Sequence, residues 1–229
     1  MTQNSNFVEI AFTAMKFYVP FLFALCFHEF AHGWVAKLRG DRTAETMGRL
    51  TLNPMAHADL IGTVILPLLA ITTRIPFFGW AKPVPVDERN LKNPKVDMFW
   101  IASAGPLSNL LLALVTAVAL GLYVRYLGEV PNQDRQSGLS QIFEVLITFL
   151  TTNVFLAVFN MLPVYPLDGA KVLARFLPDH VNDQLEAWSG YTNMILFAVL
   201  IGGGLQMISA PAFFVRSMFL YVADWVAMV

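Results

Sequence analysis

Long apolar runs, separated by short polar connections, decide what this chain can fold into. A bilayer span needs about 20 predominantly apolar residues, and several runs come close to or exceed that length: 7–38, 97–127, 139–163, 187–207 and 210–229. Only 14% of the residues are charged, whereas about a quarter are charged in soluble domains. The sequence therefore predicts an all-α polytopic membrane protein with roughly five or six membrane helices or segments.

Composition excludes several other classes of protein. The net charge is −1, so the chain lacks the excess of positive charge that attracts nucleic acid. The single cysteine, Cys26, rules out an intramolecular disulfide framework and a multi-cysteine zinc site. The polar, uncharged start of the chain and the absence of a small-residue cleavage site do not fit a signal peptide, so we expect the first helix to be retained.

The distribution of Lys and Arg between loops predicts the orientation of the chain. Segments 39–59, 74–96 and 170–176 are rich in basic residues, whereas the loop 128–138 has a single arginine. The basic segments are therefore predicted to be cytosolic. Both flanks of the short run 60–73 would then lie on one side, which favours a re-entrant loop over a span. Irregular backbone at membrane depth needs a cover of protein or a water-filled cavity.

The first apolar run contains the pattern H-E-x-x-H, at His28-Glu29-Phe30-Ala31-His32. On a helix, residues four apart share a face, so both imidazoles can point at one metal ion while Glu29 reaches a water on it. Such a short pattern also arises by chance. Three ionisable residues within five positions of a membrane helix are costly, however, and indicate function.

Two histidines need a further ligand. The carboxylates within apolar sequence are Glu144, Asp168 and Asp224. Glu144 is predicted to lie on the opposite side of the membrane, and Asp224 has no polar neighbours. Asp168 follows two prolines, which break the helix and expose backbone, and precedes Gly169, which permits a tight turn. That turn would present a carboxylate inside the protein.

The paired motifs resemble those of the site-2 protease family of intramembrane zinc metalloproteases. H-E-x-x-H on an early span is followed by N-x-x-P-x-x-x-L-D-G at 160–169, and G-P-x-x-N lies between them at 105–109. By this resemblance His28, His32 and Asp168 are the zinc ligands and Glu29 is the catalytic base. Asn160 would help to bind the substrate backbone or the oxyanion.

The resemblance also implies an activity and a location. The expected activity is hydrolysis of peptide bonds in transmembrane substrates, near the cytosolic side of the cell membrane, by a multi-pass protein that contacts lipid. We expect one membrane domain over 1–229, with a three-helix catalytic core at about 7–176 and a C-terminal helix pair at about 187–229. The chain resembles the small bacterial members of the family. It departs from the six-span version, which has a helix before the one that bears H-E-x-x-H, and from the many relatives that carry PDZ or CBS domains. Homo-oligomerisation stays open.

Two polar residues have alternative interpretations. His57 is either a loop histidine at the cytosolic surface or a group that folds toward the zinc as ligand, gate or hydrogen-bond partner. Asn109 is either an interhelical contact or a substrate-binding residue. Both are therefore kept, with Asn160, as candidates for substrate binding.

Two segments alternate enough to predict short strands, at 47–54 and 82–86. Pro83 and Pro85 would confine the second to a sheet edge. An unpaired edge can take an extended peptide by strand addition, so we expect 80–86 to bind unwound substrate beside Glu29.

Two rival functions compete with proteolysis. A pseudoprotease would bind and escort membrane clients without cutting them, but it would have no need of Glu29. A zinc or proton-coupled transporter usually shows inverted repeats with broken helices, and no internal repeat is visible in this sequence.

Overall fold

The computed structural model describes residues 2–73, 79–128 and 138–229, and these are helical almost throughout. The α-helices in chain order are α1 Thr2–Arg39, α2 Thr43–Thr46, α3 Pro54–His57, α4 Leu66–Thr73, α5 Pro94–Leu127, α6 Gly138–Asn160, α7 Asp168–Ala174, α8 Asp179–Ala187, α9 Ser189–Val199 and α10 Leu205–Met228. π-Helical turns at Leu60–Ile65 and Leu200–Gly204 lead into α4 and α10, and a 3₁₀ turn covers Glu88–Asn90.

Three helices of the described ranges are long and apolar enough to cross a membrane: Ala14–Arg39, which is most of α1, together with α5 and α6. The expected C-terminal pair consists of helices α9 and α10, and neither is among the three. α10 is nevertheless 24 residues long and packs against α5 and α6. The protein is thus an all-α, multi-pass membrane protein.

Helix α5 begins where its cap signals predict. The Asn93 side chain accepts a hydrogen bond from Val96 N, and Pro94 is the first helical residue. Asp97 in the first turn accepts from the backbone N–H of Asn93 at 2.9 Å, which satisfies another free donor of this helix end. Arg39, the last residue of α1, contacts the same Asp97 at 3.4 Å. The end of α1 is therefore fixed beside the start of α5.

The contacts between helices define their directions. Late residues of α1 meet early residues of α5: Arg39 meets Asp97, and His28 meets Asn109. These two helices are therefore antiparallel. α6 runs parallel to α1, because Lys16 pairs with Glu144 at one end while Asp168, which follows α6, meets His28 at the other. The connection after α6 is thereby brought to the histidines.

The main core lies between α5, α6 and α10. It contains two alanines and a leucine of α5, two branched residues of α6 and one alanine of α10: Ala113, Ala117, Leu120, Leu150, Val154 and Ala223. At Gly121 a Cβ atom would lie 2.4 Å from the carbonyl oxygen of Ala223. Small residues let membrane helices approach this closely, so α10 lies directly against two candidate spans.

The strand predictions were wrong. Neither 47–54 nor 82–86 is a strand: the first consists of turns and bends leading into α3, and the second is an extended segment without a sheet partner. Pro83 and Pro85 have no N–H to donate, and the N–H of Val84 between them binds a side chain. The alternating pattern of 82–86 therefore reflects packing along α1 instead of a sheet.

The chain returns to the start of the helical run 60–73. Trp80 N donates to Gly62 O at 3.2 Å, and Thr63 Oγ1 donates to Trp80 O at 2.8 Å. A Cβ atom on Gly62 would lie 2.4 Å from the Trp80 ring. The chain at Trp80 therefore lies beside the start of this run, as expected of a re-entrant loop. Residues 74–78 lie outside the described residues.

Candidate active site

Three potential metal ligands converge at one point between α1, α5 and α7. His28 and His32 lie one turn apart on α1, and their Nε2 atoms are 3.1 and 3.3 Å from Asp168 Oδ2. The ligand atoms of these three residues all lie within 4.8 Å of one another. His28 is only 4% exposed and His32 8%, so the group is enclosed by protein.

The close approach of α5 to the histidines depends on Gly105. A Cβ atom at this position would lie 2.4 Å from His32 Nε2 and 2.6 Å from His28 Nε2. Real side chains do not tolerate such distances, so even alanine would displace both imidazoles. The glycine of the G-P-x-x-N motif is therefore required by space at the site.

Asp168 is placed by the chain that follows α6. It is the first residue of α7, a short helix that packs against α5. A Cβ atom on Gly169 would lie 2.3 Å from the carbonyl oxygen of Met161 and 2.4 Å from that of Leu162. Gly169 does not have a positive φ, so it is needed for close packing and not for an unusual backbone conformation.

Both imidazoles are oriented by acceptors on α5. His28 Nδ1 lies 2.6 Å from Asn109 Oδ1, and His32 Nδ1 lies 2.7 Å from the carbonyl oxygen of Ile101. Both partners accept, so each Nδ1 carries the proton and donates it. This fixes the tautomer in which each Nε2 keeps its lone pair and faces Asp168.

Asn109 itself is held by two further bonds. Its amide nitrogen donates to the Ala24 carbonyl at 3.1 Å and to Asn153 Oδ1 at 2.8 Å. Asn153 in turn donates to the Phe149 carbonyl. Asn109 and Asn153 are fully buried. A polar chain thus joins α6, α5 and α1 and ends at His28.

Glu29 lies on the same turn of α1 and is 9% exposed. Its Oε2 atom accepts a hydrogen bond of 2.8 Å from the backbone N–H of Val84. Prolines flank Val84 on both sides, so this N–H is the sole backbone donor of 83–85. One carboxylate oxygen of Glu29 is thereby fixed by the segment 79–86.

The segment 79–86 is held in place by two loop residues. Arg49 Nη2 donates to the carbonyl oxygens of Lys82 and Pro83 at 2.7 and 3.3 Å. Lys82 N donates to the carbonyl oxygen of His57 at 2.8 Å. Ala81 packs with Phe21 and other apolar residues of α1. The segment therefore lies along α1 and passes Glu29 in a defined register.

A buried carboxylate anchors the far end of this segment. Asp41, immediately after α1, is 0% exposed and accepts from Asp87 N, Asn90 Nδ2 and Thr43. Burial raises the pKa of the Asp41 carboxyl, but these hydrogen bonds outweigh it and hold the pKa below its usual value. The charged carboxylate therefore ties the end of α1 to the chain that leaves 79–86.

His57 and Asn160 are the remaining residues that the sequence predicts for substrate binding. His57 is 2% exposed, so the interpretation as a surface histidine was wrong. Its Nε2 lies 2.8 Å from the Thr51 carbonyl, its Nδ1 is buried without a partner in the described part of the chain, and it is not in the converging group. Asn160, the last residue of α6, donates to the Leu156 carbonyl at 3.0 Å.

Three groups that position the site residues were not predicted from the sequence: Asn153, the Ile101 carbonyl and Arg49. Asn153 carried a signal, because an amide within an apolar run is costly unless it is bonded. Neither a backbone carbonyl nor a loop arginine among several others is distinguishable without the fold.

The donor set fits a zinc ion. Nε2 lone pairs and a carboxylate oxygen at 3.1 and 3.3 Å repel one another unless a proton or a metal cation lies between them. Tetrahedral zinc ligands at about 2.0–2.1 Å from the metal lie about 3.3 Å apart. Two imidazoles and one carboxylate are a usual ligand set for catalytic zinc, with the fourth position open.

Membrane-crossing helices and a buried His-Glu-x-x-His site completed by a carboxylate are the features of a membrane-embedded metallopeptidase. Comparisons with known proteins agree with this class. The family model described as peptidase family M50 matches residues 16–202. The chain therefore belongs to peptidase family M50, the site-2 protease family, and is a zinc metalloendopeptidase.

Two curated proteins illustrate the relationship. The chain is 35% identical over 187 residues to "Putative zinc metalloprotease YwhC" of Bacillus subtilis, and the match covers 80% of each protein. It is 30% identical over 186 residues to "Putative zinc metalloprotease Rip2" of Mycolicibacterium smegmatis, covering 81% of this chain and 66% of the relative. No solved structure gives a significant match.

Proposed function

We propose that this protein cleaves peptide bonds of transmembrane proteins within the bilayer, near its cytosolic side. In this proposal His28, His32 and Asp168 hold the zinc and Glu29 is the catalytic base. The observation that carries it is the convergence of three ligand atoms within 4.8 Å, next to a carboxylate, on helices long enough to cross a membrane.

Each residue has a distinct role. Bound zinc supplies Lewis-acid chemistry and lowers the pKa of a water toward about 7. Glu29 has one oxygen bonded to the Val84 N–H, so its other oxygen takes the proton from the attacking water and passes it to the leaving amine. Asn109 and the Ile101 carbonyl keep both imidazoles in the tautomer that binds metal. Asn160 is assigned to the substrate backbone or the oxyanion.

The depth and side of the site rest on helix length and loop charge. His28 lies eleven residues before the end of α1 at Arg39, which is about 16 Å along the helix axis. Lys37 and Arg39 in the last turn, together with the basic segments 39–59 and 74–96, assign this end to the cytosol. We therefore place the cut near the cytosolic side of the cell membrane.

A transmembrane client must be unwound locally, because a helix hides its carbonyls in its own hydrogen bonds. We propose that the extended client lies beside 80–86. The carbonyls of Lys82 and Pro83 are already bonded to Arg49. The Val84 carbonyl accepts no bond from the part of the chain that is described, and we assign it to a client N–H next to Glu29.

The test is a cleavage assay with purified protein in proteoliposomes and a model transmembrane peptide. Peptides with Gly or Pro near the cut site should be cleaved faster than leucine-rich ones, since their helices unwind at lower cost. Equal rates for both would contradict the requirement for unwinding.

Metal analysis and a zinc-flux assay on the same vesicles separate the rival functions. The protein should contain about one zinc per chain, and Asp168→Ala should lose it. Full zinc occupancy in that variant would refute the ligand assignment. Zinc binding without cleavage would indicate a pseudoprotease, and zinc flux without cleavage would indicate a transporter.

A further inference from the structure

Arg216 lies near the middle of α10, far from the catalytic group. α10 contains 24 residues and is thus about 36 Å long. It packs against α5 at Gly121 and shares the main core with α5 and α6. Its hydrogen-bond partner Thr151 lies within the candidate span α6. Arg216 is therefore at membrane depth, where an ionisable side chain is costly and indicates a functional site.

The guanidinium of Arg216 is incompletely paired. Its Nε donates to Thr151 Oγ1 at 2.9 Å, and that hydroxyl donates onward to the Ile147 carbonyl. Within the described ranges Arg216 forms no ion pair with a carboxylate. A guanidinium carries five N–H donors, and within the described part of the chain only the Nε donor has an acceptor.

A cavity of about 110 Å³ lies beside this guanidinium. Its wall is formed by α6 and α10, mostly by apolar atoms, and its lining residues are Thr151, Phe155, Ser209, Ala212, Phe213 and Arg216. We call it the α6–α10 cavity. Phe213 is 60% exposed, so the cavity lies next to the surface that α10 presents to lipid.

We propose that the α6–α10 cavity binds an acidic side chain, Asp or Glu, projecting from the middle of a transmembrane helix of a partner protein. The positive charge of Arg216 selects an anion. The apolar wall and the small volume of the cavity suit a single side chain. Depth argues against a phospholipid, whose phosphate lies outside the hydrocarbon core of about 30 Å. A carboxylate on a membrane helix is at the correct depth and itself needs a cation.

This binding is separate from catalysis, so its test requires no cleavage. The probe is a synthetic transmembrane peptide with one central Asp and a photoreactive leucine one turn away, and a twin peptide carries Asn. Both are reconstituted with the full-length protein in phosphatidylcholine vesicles, irradiated and mapped by mass spectrometry. We expect the Asp peptide to label residues 209–216 about tenfold more than the Asn peptide, a difference typical of a polar interhelical contact.

Variants identify the cation. Arg216→Gln should reduce labelling by the Asp peptide to the level of the Asn peptide, and Arg216→Lys should retain most of it. Arg125→Gln, which removes an exposed arginine from the last turn of α5, should change nothing. Equal labelling by the two peptides on the unaltered protein overturns the proposal whether or not a variant folds. Loss of labelling when phosphatidylglycerol is added overturns it too, in favour of a lipid-phosphate site.

Discussion

The backbone N–H of Val84 donates a hydrogen bond of 2.8 Å to Oε2 of Glu29. The donor is 55 positions away from the acceptor in sequence and comes from an extended segment, while the acceptor comes from a membrane helix. Because the neighbouring prolines have no N–H, this bond is the only backbone donation that 83–85 can make. The contact fixes the carboxylate and sets the register of 79–86 along α1.

Replacing Val84 by Pro tests this contact. Val84→Pro removes the N–H, whereas Val84→Ala shortens the side chain and keeps the donor. A hydrogen bond to a charged group contributes about 1.5–3 kcal/mol. We therefore expect cleavage by Val84→Pro to be at least about tenfold slower than by Val84→Ala, with normal zinc in both. Similar rates for the two variants would show that the N–H does not act on Glu29.

Gly105→Ala should abolish metal binding. The added Cβ would lie 2.4 Å from His32 Nε2 and 2.6 Å from His28 Nε2, and a helical backbone cannot yield that far in a packed core. The matched control is Gly190→Ala in α9, where a Cβ meets nothing within 4 Å. Metal analysis of both purified proteins is decisive: a Gly105→Ala protein with full zinc content would contradict the geometry.

The membrane helices and the residues at the site were predictable from the sequence, because both depend on patterns within single elements. Long apolar runs predicted α1, α5 and α6, and helical spacing predicted that His28 and His32 share a face. The distribution of basic residues between loops predicted that α5 leaves the cytosolic side and α6 returns to it, which brings Asp168 to the same end as His28.

What could not be predicted depends on contacts between elements. The pattern of 82–86 favoured a strand, but several of its backbone donors and acceptors are engaged by Glu29, Arg49 and His57, which are distant in sequence. Gly169 was expected to allow a tight turn, and it is instead required because carbonyl oxygens leave no room for a Cβ. Arg216 was overlooked although a charge in the apolar run 210–229 was a signal in its own right.

Glu29→Gln separates chemistry from metal binding. The amide has the shape of the carboxylate and can still accept from the Val84 N–H, but it cannot take a proton from water. We expect normal zinc content and a loss of at least about 10²-fold in cleavage rate, the low end for general-base catalysis. Turnover near that of the unaltered protein would rule out this role for Glu29.

Arg49→Gln should loosen the segment that carries Val84. Arg49 holds the carbonyls of Lys82 and Pro83, and glutamine is too short and uncharged to replace a guanidinium that reaches both. Exchange of the Val84 amide hydrogen, followed on a peptide covering 79–86, should accelerate by about tenfold or more, as expected for the loss of about 1.4 kcal/mol of local stability. Cleavage should slow in parallel while the zinc content is unchanged. Arg42→Gln is the matched control, because Arg42 is an exposed arginine before α2 whose ion-pair partner is Glu45 at 3.7 Å. No hydrogen bond or ion pair among the described residues joins it to 79–86. If Val84 exchanges at the same rate in the Arg49 and Arg42 variants, Arg49 does not hold the segment, and the register of 79–86 comes from its other contacts, such as those with Glu29, His57 and Asp41.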